Sequence, residues 1–352
     1  MKILFCGLKY EYGKPSAGLS FEYQNFYQVL NSMPGIDCSL FAVDEKMLEG
    51  GREAMNALLI KEVELTSPDL LFCFLFTDEI KQKTIEHITN RTKTKTFNWF
   101  ADDHWRLPIY SRYWAPLFTM VGTTDSRAPA RYAAYGIKNV VKTQWAANVS
   151  LFRHVGELEN RGIGSCDITF VGKNYGKRGK YISGLKSTGL PARGFGKGWD
   201  GGIVSQQTML EIFSQSKINL NFTESYFTWT NQLAKLLFKK NRGRWALSFH
   251  PLDQLRSLAG ARRRQIKGRT FEIPACGGFL LSGDADDIGN YYVDGKEAVI
   301  FKNEAELFEK CRYYLSHDAE RQAIARAGHE RTLRDNTYEK RFTEIFRALG
   351  LM

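Results

Sequence analysis

Short apolar runs alternate with stretches of helical periodicity from the first residues onward, and this alternation constrains the fold more than any other feature of the chain. KILFCG (2–7), DCSLFAV (37–43), DLLFCFLF (69–76), TKTFNWFADD (94–103), LFTMVGTTD (117–125) and NVVKTQWAAN (139–148) read as strands. Between them, Phe21–Leu30 and the segments near 52–63, 78–90 and 127–135 carry apolar residues at helical spacing. That rhythm predicts βαβ units on a parallel sheet. Residues 151–165 then turn polar and glycine-bearing, the composition of a linker, and the alternation restarts with CDITFVG (166–172).

A chain of 352 residues exceeds a comfortable single core, so the restart marks a second domain. The expected architecture is α/β, with two Rossmann-like doubly wound domains facing a central cleft. The N-terminal domain spans 1–150 and the C-terminal domain 166–330. Strands of the second domain fall in DITFVG, LPARGFG, KINLNF, GGFLLS and EAVIF. Its helices fall near 178–187, 206–215, 270–276 and 304–316, and a charged helical run from 318 to 348 closes the chain, with 331–352 packing back on the first domain.

Composition removes several function classes. No apolar run approaches the roughly 20 residues that span a bilayer, and the N-terminus reads as a strand rather than a signal peptide, so a cytoplasmic location is expected. Cys6, Cys38, Cys73, Cys166, Cys276 and Cys311 form no CxxC pair and read as reduced structural thiols. The six histidines make no HExxH motif and pair with no serine elbow, so no metal and no serine hydrolase is indicated.

Charge is concentrated. The net charge is +11, yet residues 223–270 alone hold eleven Lys and Arg against Glu224 and Asp253, a local excess of nine. Trp229, Leu233, Leu236 and Leu237 at helical spacing, with Lys235, Lys239, Lys240, Arg242 and Arg244 around them, read as a basic amphipathic helix. Such a helix packs on its own domain, docks on an anionic membrane surface or acceptor, or, less favoured, binds DNA.

Three motifs can carry chemistry. VGKNYGKRGKY (171–181) follows a strand, precedes a helix and brings Lys173, Lys177, Arg178 and Lys180 to the helix start, where backbone N–H groups and cations suit a diphosphate. Its spacing is neither Walker A nor GxGxxG, and a solvated basic turn is the plain alternative. In QIKGRTFEIPACGGFLLS (265–282), Glu272 lies early in a short helix ended by Gly277, where it either accepts bonds from a ribose diol or caps an ordinary helix-to-strand turn. In NWFADDHWRLPIY (98–110), Asp102 and Asp103 follow a strand beside Trp105 and Arg106; they can hold a sugar hydroxyl, act as a base or bind a metal, or simply cap a helix.

KGRTFEIPACGGFLLS, the downstream DGKEAVIFKNEAELFEKCRYYLSHDAERQAIARAG, NWFADDHWR and the WAAN before the second domain together resemble the CgeB-like (spore maturation protein-like) glycosyltransferases of the GT-B fold. The resemblance extends from YEYGKPSAGLSFEYQNF (10–26) to the final helix. It implies transfer of a sugar, with retention, from a nucleotide-diphosphate sugar to a glycan or lipid-linked acceptor in cell-surface polysaccharide biosynthesis. No metal and no other cofactor is implied. Glu272 matches the second glutamate of a donor-binding pair, while Arg264 stands where the first would be. Gly172, Lys173, Arg178, Lys267, Arg269 and Gly277 fall at donor-binding positions. Gly13, with Gly7 and the GKPSAG loop, falls on the acceptor side beside Asp102, Asp103, Trp105 and Arg106. Asp103 and Glu272 are the expected catalytic carboxylates. The basic insertion 223–264 also departs from the pattern, which leaves open a phage-type DNA-modifying transferase; the Arg264 departure leaves open an inactive nucleotide-binding protein.

Overall fold

A computed structural model describes residues 1–152, 167–224, 238–241, 244–247 and 251–352. The chain divides into two compact units, 1–144 with 233–260 and 338–352, and 145–232 with 261–337.

In the first unit, β1 (Lys2–Gly7), β2 (Asp37–Ala42), β3 (Leu70–Cys73), β4 (Lys95–Phe100), β5 (Met120–Thr123) and β6 (Val140–Lys142) form one parallel sheet in the order β2-β1-β3-β4-β5-β6. The strands are short continuous apolar runs because both faces of a parallel sheet are covered. Their twofold alternation sorts the side chains. Leu4 and Cys6 enter a cluster with Phe41, Leu59, Ile85 and Ile88 on one face. Phe5 and Phe72 join an aromatic layer centred on Phe26, whose ring lies 4.9 Å from Trp99, 5.2 Å from Tyr338 and 5.5 Å from Phe342. The helix Tyr338–Ala348 therefore supplies core to a unit that begins more than three hundred residues earlier in the chain.

After β6 come β7 (Ile168–Val171), β8 (Ala192–Phe195) and β9 (Ile218–Asn221), then an antiparallel hairpin of β10 (Phe238–Asn241) and β11 (Arg244–Leu247), then β12 (Leu280–Gly283) and β13 (Val299–Phe301). The second unit's sheet is parallel in the order β13-β12-β9-β7-β8. Each sheet reverses its building direction beside its first strand, between β1 and β3 and between β7 and β9. Open α/β sheets take ligands outside the carboxyl ends of the strands at such reversals.

Several expectations change. The basic helix drawn around Trp229–Arg244 gives way, in its second half, to the hairpin: Lys239 and Lys240 lie on β10 and Arg244 on β11, because the strand register pairs Lys239 with Ala246 and Lys240 with Trp245. Trp229, Lys235 and Arg242 lie outside the described residues, as do 153–165 of the expected linker and Cys166. The insertion is not wholly part of the second domain. Its helix Pro251–Ala261 packs in the first unit, where Asp253 accepts from both Nη atoms of Arg112 at 3.2 and 2.7 Å. At Gly260 the packing is so close that a Cβ would sit 1.7 Å from the His104 carbonyl oxygen.

The helical run from 318 to 348 is two helices, Asp318–Asp335 and Tyr338–Ala348. Asn336 and Thr337 break it because their backbone pairs with Ala147, whose N–H donates to the Asn336 carbonyl at 2.9 Å, a bond that an uninterrupted helix would forbid. The helix near 52–63 starts earlier and runs Val43–Thr66, with Gly51 at φ +71° absorbing a kink.

Because Phe342 contacts Phe26 and Phe72, each at 5.5 Å between ring centres, Phe342→Ala should lower first-unit stability by about 3–5 kcal/mol. Urea unfolding followed by tryptophan fluorescence measures this. A loss below about 1 kcal/mol would show that the final helix is not part of that core.

Candidate functional site

In the second unit the turn after β7 is shaped by glycine. A side chain at Gly172 would put its Cβ 2.8 Å from the Phe170 ring, and one at Gly196 would sit 2.6 Å from the Gly172 carbonyl oxygen. Only bare backbone lets these two loops cross so closely. Hydrogen bonds then fasten them: Gly172 N–H to Phe195 O at 2.8 Å, Asn174 N–H to Lys197 O at 2.9 Å, and Trp199 Nε1–H to Gly172 O at 2.7 Å.

Arg178 opens the helix Arg178–Ser187 but does not project into solvent. Its guanidinium donates to the Lys173 carbonyl at 2.9 Å, to Tyr175 Oη at 2.8 Å and to the Phe222 carbonyl at 3.3 Å, and stacks 3.8 Å from the Tyr175 ring centre. It braces the turn against the end of β9. Burial pulls its pKa down, and the charge of Arg269 adds to that shift. Lys173 and Lys177 are exposed cations of the turn, and Lys180, also exposed, is paired with Glu304 at 2.6 Å.

Arg269 and Glu272 lie on the helix Arg269–Ala275, tied to the sheet where Asn221 of β9 donates to Thr270 Oγ1 at 3.0 Å and to Ser282 Oγ of β12 at 2.9 Å. Arg269 has its Nε buried without an acceptor, and one terminal nitrogen only 3.7 Å from Met209 Sδ. The Glu272 carboxyl is buried, which raises its pKa, opposed by the neighbouring Arg269. Lys267 precedes them, half-buried. Gly277, at φ +74°, makes the left-handed turn into β12. Gly172, Lys173, Arg178, Lys267, Arg269 and Glu272 thus share the carboxyl edge of one sheet, whereas Gly277, just before β12, lies at its amino edge. Two guanidinium groups that no described carboxylate meets in an ion pair and an exposed ammonium there favour an anion.

Sequence reasoning missed Glu224, which follows β9; its Oε1 accepts from Tyr181 Oη at 3.1 Å and lies 4.0 Å from Arg264 Nη2. Its position immediately after a strand was the available signal. Arg264 itself donates to the Lys302 carbonyl at 2.9 Å.

In the first unit Asp102 and Asp103 part company. Asp103 is fully buried and accepts from Tyr132 Oη at 2.9 Å, with the Ser111 and Thr123 hydroxyls also facing it. Burial pushes its pKa up to about 6 against those hydroxyls. That enclosure keeps it from solvent, so Asp102 is the carboxylate that lines a small cavity, together with Phe74, Phe76, Trp99, Phe100, Arg106 and Tyr110. Trp105 is half-buried beside them.

The loop after β1 is gripped by Asp44, whose carboxylate accepts from the Lys9 and Tyr10 N–H groups at 3.0 Å each. Gly13 lies in that loop at φ +66°. Glu22, also missed by sequence reasoning, is buried there, and burial, then the charges of Glu11 and Asp44, raise its pKa to about 7. Its context, an isolated acid in an aromatic helix, carried no signal. Among the described residues no group of three His, Cys, Asp or Glu side chains is arranged to hold a metal, and no helix is long and apolar enough to cross a membrane.

Asp103 binds its proton more tightly folded, at about 6, than its ordinary value of 3.8. The associated stability is therefore complete below about pH 4 and lost as pH rises through 6, up to about 3 kcal/mol. Asp103→Asn keeps an acceptor for Tyr132 and should flatten unfolding free energy between pH 4 and 6. An unchanged slope would refute the burial of this carboxylate.

Residues 178–347 match a family model described as glycosyl transferase-like. The sequence matches no curated protein. Among solved structures, the chain is similar over its full length, and that of the other chain, to Anabaena Alr3699/HepE in complex with UDP (10% identity, TM-score 0.62) and with UDP-glucose (11%, 0.59). It is similar to sucrose-phosphate synthase from Thermosynechococcus elongatus over 99% of both chains (9%, 0.60). A glycosyltransferase from Rickettsia africae ESF-5 matches over 99% of this chain and 98% of the other (10%, 0.60). These likenesses show the fold, which is GT-B-like with two Rossmann-like units.

Proposed function

We propose that this chain is a glycosyltransferase that takes a sugar from a nucleotide-diphosphate sugar held by the second unit. The supporting observation is the turn after β7 at the sheet's reversal, where Arg178 donates to the Lys173 carbonyl and feels the charge of Arg269, itself a neighbour of Glu272. The match to a glycosyl transferase-like family over 178–347 covers the same residues. HepE, similar in fold, is known with UDP-glucose, and a UDP-sugar is the donor class we propose.

In this reading Lys173 and Arg269 face the diphosphate, Arg178 shapes the turn and adds field, and Glu272 accepts from donor hydroxyls. The bond between the sugar C1 and the diphosphate oxygen breaks, the leaving group keeps the electron pair, and fixed cations stabilise the charge that develops. The acceptor oxygen forms the new bond, and its proton passes to a leaving phosphate oxygen, consistent with the retention that the resemblance implies. The acceptor belongs to the first unit and is a glycan or lipid-linked molecule of a cell-surface polysaccharide. Metal independence is part of the proposal.

Two calorimetric results test the donor site. Lys173→Ala should weaken UDP binding roughly ten- to a hundredfold, the size of a lost charge-assisted contact. Glu272→Gln should melt like wild type yet lose turnover of UDP-glucose. Wild-type protein that binds neither UDP nor UDP-glucose, with or without added magnesium, would overturn the donor reading.

The basic segment 229–264 is proposed to dock on an anionic membrane surface that presents the acceptor, since its cations outnumber its acids nine to one. Leu252 and Leu255, 68% and 52% exposed on the anchored helix Pro251–Ala261, give that surface an apolar contact. Co-sedimentation with phosphatidylglycerol vesicles but not phosphatidylcholine vesicles, lost when Lys235, Lys239, Lys240, Arg242 and Arg244 become Gln, is expected. Preference for duplex DNA would favour a DNA-modifying transferase instead.

A further inference from the structure

Arg106 carries a charge that no described residue meets in an ion pair. Its guanidinium lies 4.2 Å from the Phe76 ring centre and 4.1 Å from that of Tyr110, and one terminal nitrogen donates to the Phe76 carbonyl. Asp102, Asp103 and Glu79 act on it through their field, without contact. Burial pulls its pKa down. A partly enclosed cation is unfavourable unless an anion completes its shell, and aromatic faces hold a guanidinium in place without neutralising it.

The surroundings describe the missing group. Arg106 and Asp102 line the cavity at the carboxyl ends of β3 and β4, with Phe74, Phe76, Trp99 and Tyr110 as walls. The enclosed space is about 10 Å³, which admits one oxygen-sized group and no sugar ring. Phe76 is half exposed at the rim, so a ring outside the cavity has an apolar face to rest on. One oxygen of a carboxylate or phosphate fits that space and accepts from the guanidinium, while the rest of the group stays at the rim.

We propose that this cavity is the anion subsite of the acceptor: the hydroxyl-bearing acceptor carries a carboxylate or phosphate, and Arg106 is its counter-ion. The assignment rests on the reading of the first unit as the acceptor side. Asp102, on the same wall, opposes an anion and limits its affinity, while remaining able to accept from a neighbouring hydroxyl.

The full-length protein saturated with UDP, so that the second unit's cations are occupied, is titrated with glycerol 3-phosphate, glucuronate and glucose, and binding is followed by tryptophan fluorescence and calorimetry. One or both anions should bind and glucose should not; which anion binds separates a phosphate acceptor from a uronate. Arg106→Gln should weaken that binding at least tenfold, Arg106→Lys by less, and Asp102→Asn should tighten it severalfold. The opposite signs separate an electrostatic subsite from a general loss of structure, and Asp102→Asn carries the test alone should Arg106→Gln fold poorly. Anion binding untouched by Arg106→Gln, weakened equally by Asp102→Asn, or absent from wild type overturns the subsite. Lack of UDP binding overturns the donor reading instead, and anion titration without UDP in Lys173→Ala then still reports on Arg106.

Discussion

Burial of the aromatic face of the first sheet is the constraint on which the rest of the first unit depends. Phe5, Phe72, Phe97 and Trp99 project from neighbouring strands, and their rings are closed over by Phe26 from one helix and by Tyr338 and Phe342 from the last. Fully buried aromatics of this size dominate core energetics, so the end of the chain cannot be separated from its beginning. With both faces of the central strands covered, the loops at the carboxyl edge are where chemistry can be carried.

The two units use that edge differently. In the second, tight glycine crossings bring two loops together and let Arg178 spend its hydrogen bonds on backbone carbonyls and Tyr175, so shape is set first, with Lys173 exposed and the Arg269 Nε without an acceptor. In the first, acids predominate at the same edge: Asp44 grips the loop after β1, Glu22 is buried behind it, and Asp103 is enclosed by hydroxyls. Burial raises the pKa of both Glu22 and Asp103. The cation-rich edge suits a diphosphate. The edge that sets one guanidinium in the field of several carboxylates, without an ion pair to any of them, suits hydroxyls and at most one anionic group.

The insertion shows how a charge pattern under-specifies structure. Eleven cations among residues 223–270 are legible at once, but the same lysines suit a solvated helix face or a hairpin strand equally. Lys239, Lys240 and Arg244 take the hairpin. Helix Pro251–Ala261 leaves the second unit for the first because Asp253 finds Arg112 and because Gly260 allows backbone to meet backbone at His104, two contacts with no local sequence signature.

By itself the sequence determined the alternation of strands and helices, the restart after the polar stretch at 151–165, and the loops that follow β4, β7 and β9, because apolar periodicity and glycine placement are local properties. The helices Arg178–Ser187, Gln206–Gln215 and Glu304–Ser316 fall where that pattern puts them. Only the tertiary structure decided which of two adjacent aspartates is enclosed, that Arg178 braces rather than protrudes, that the 318–348 run breaks at Asn336, and that no described residue meets Arg106 in an ion pair. Each of those depends on a partner tens or hundreds of residues away, and burial and pairing are set by such partners rather than by neighbours in the chain.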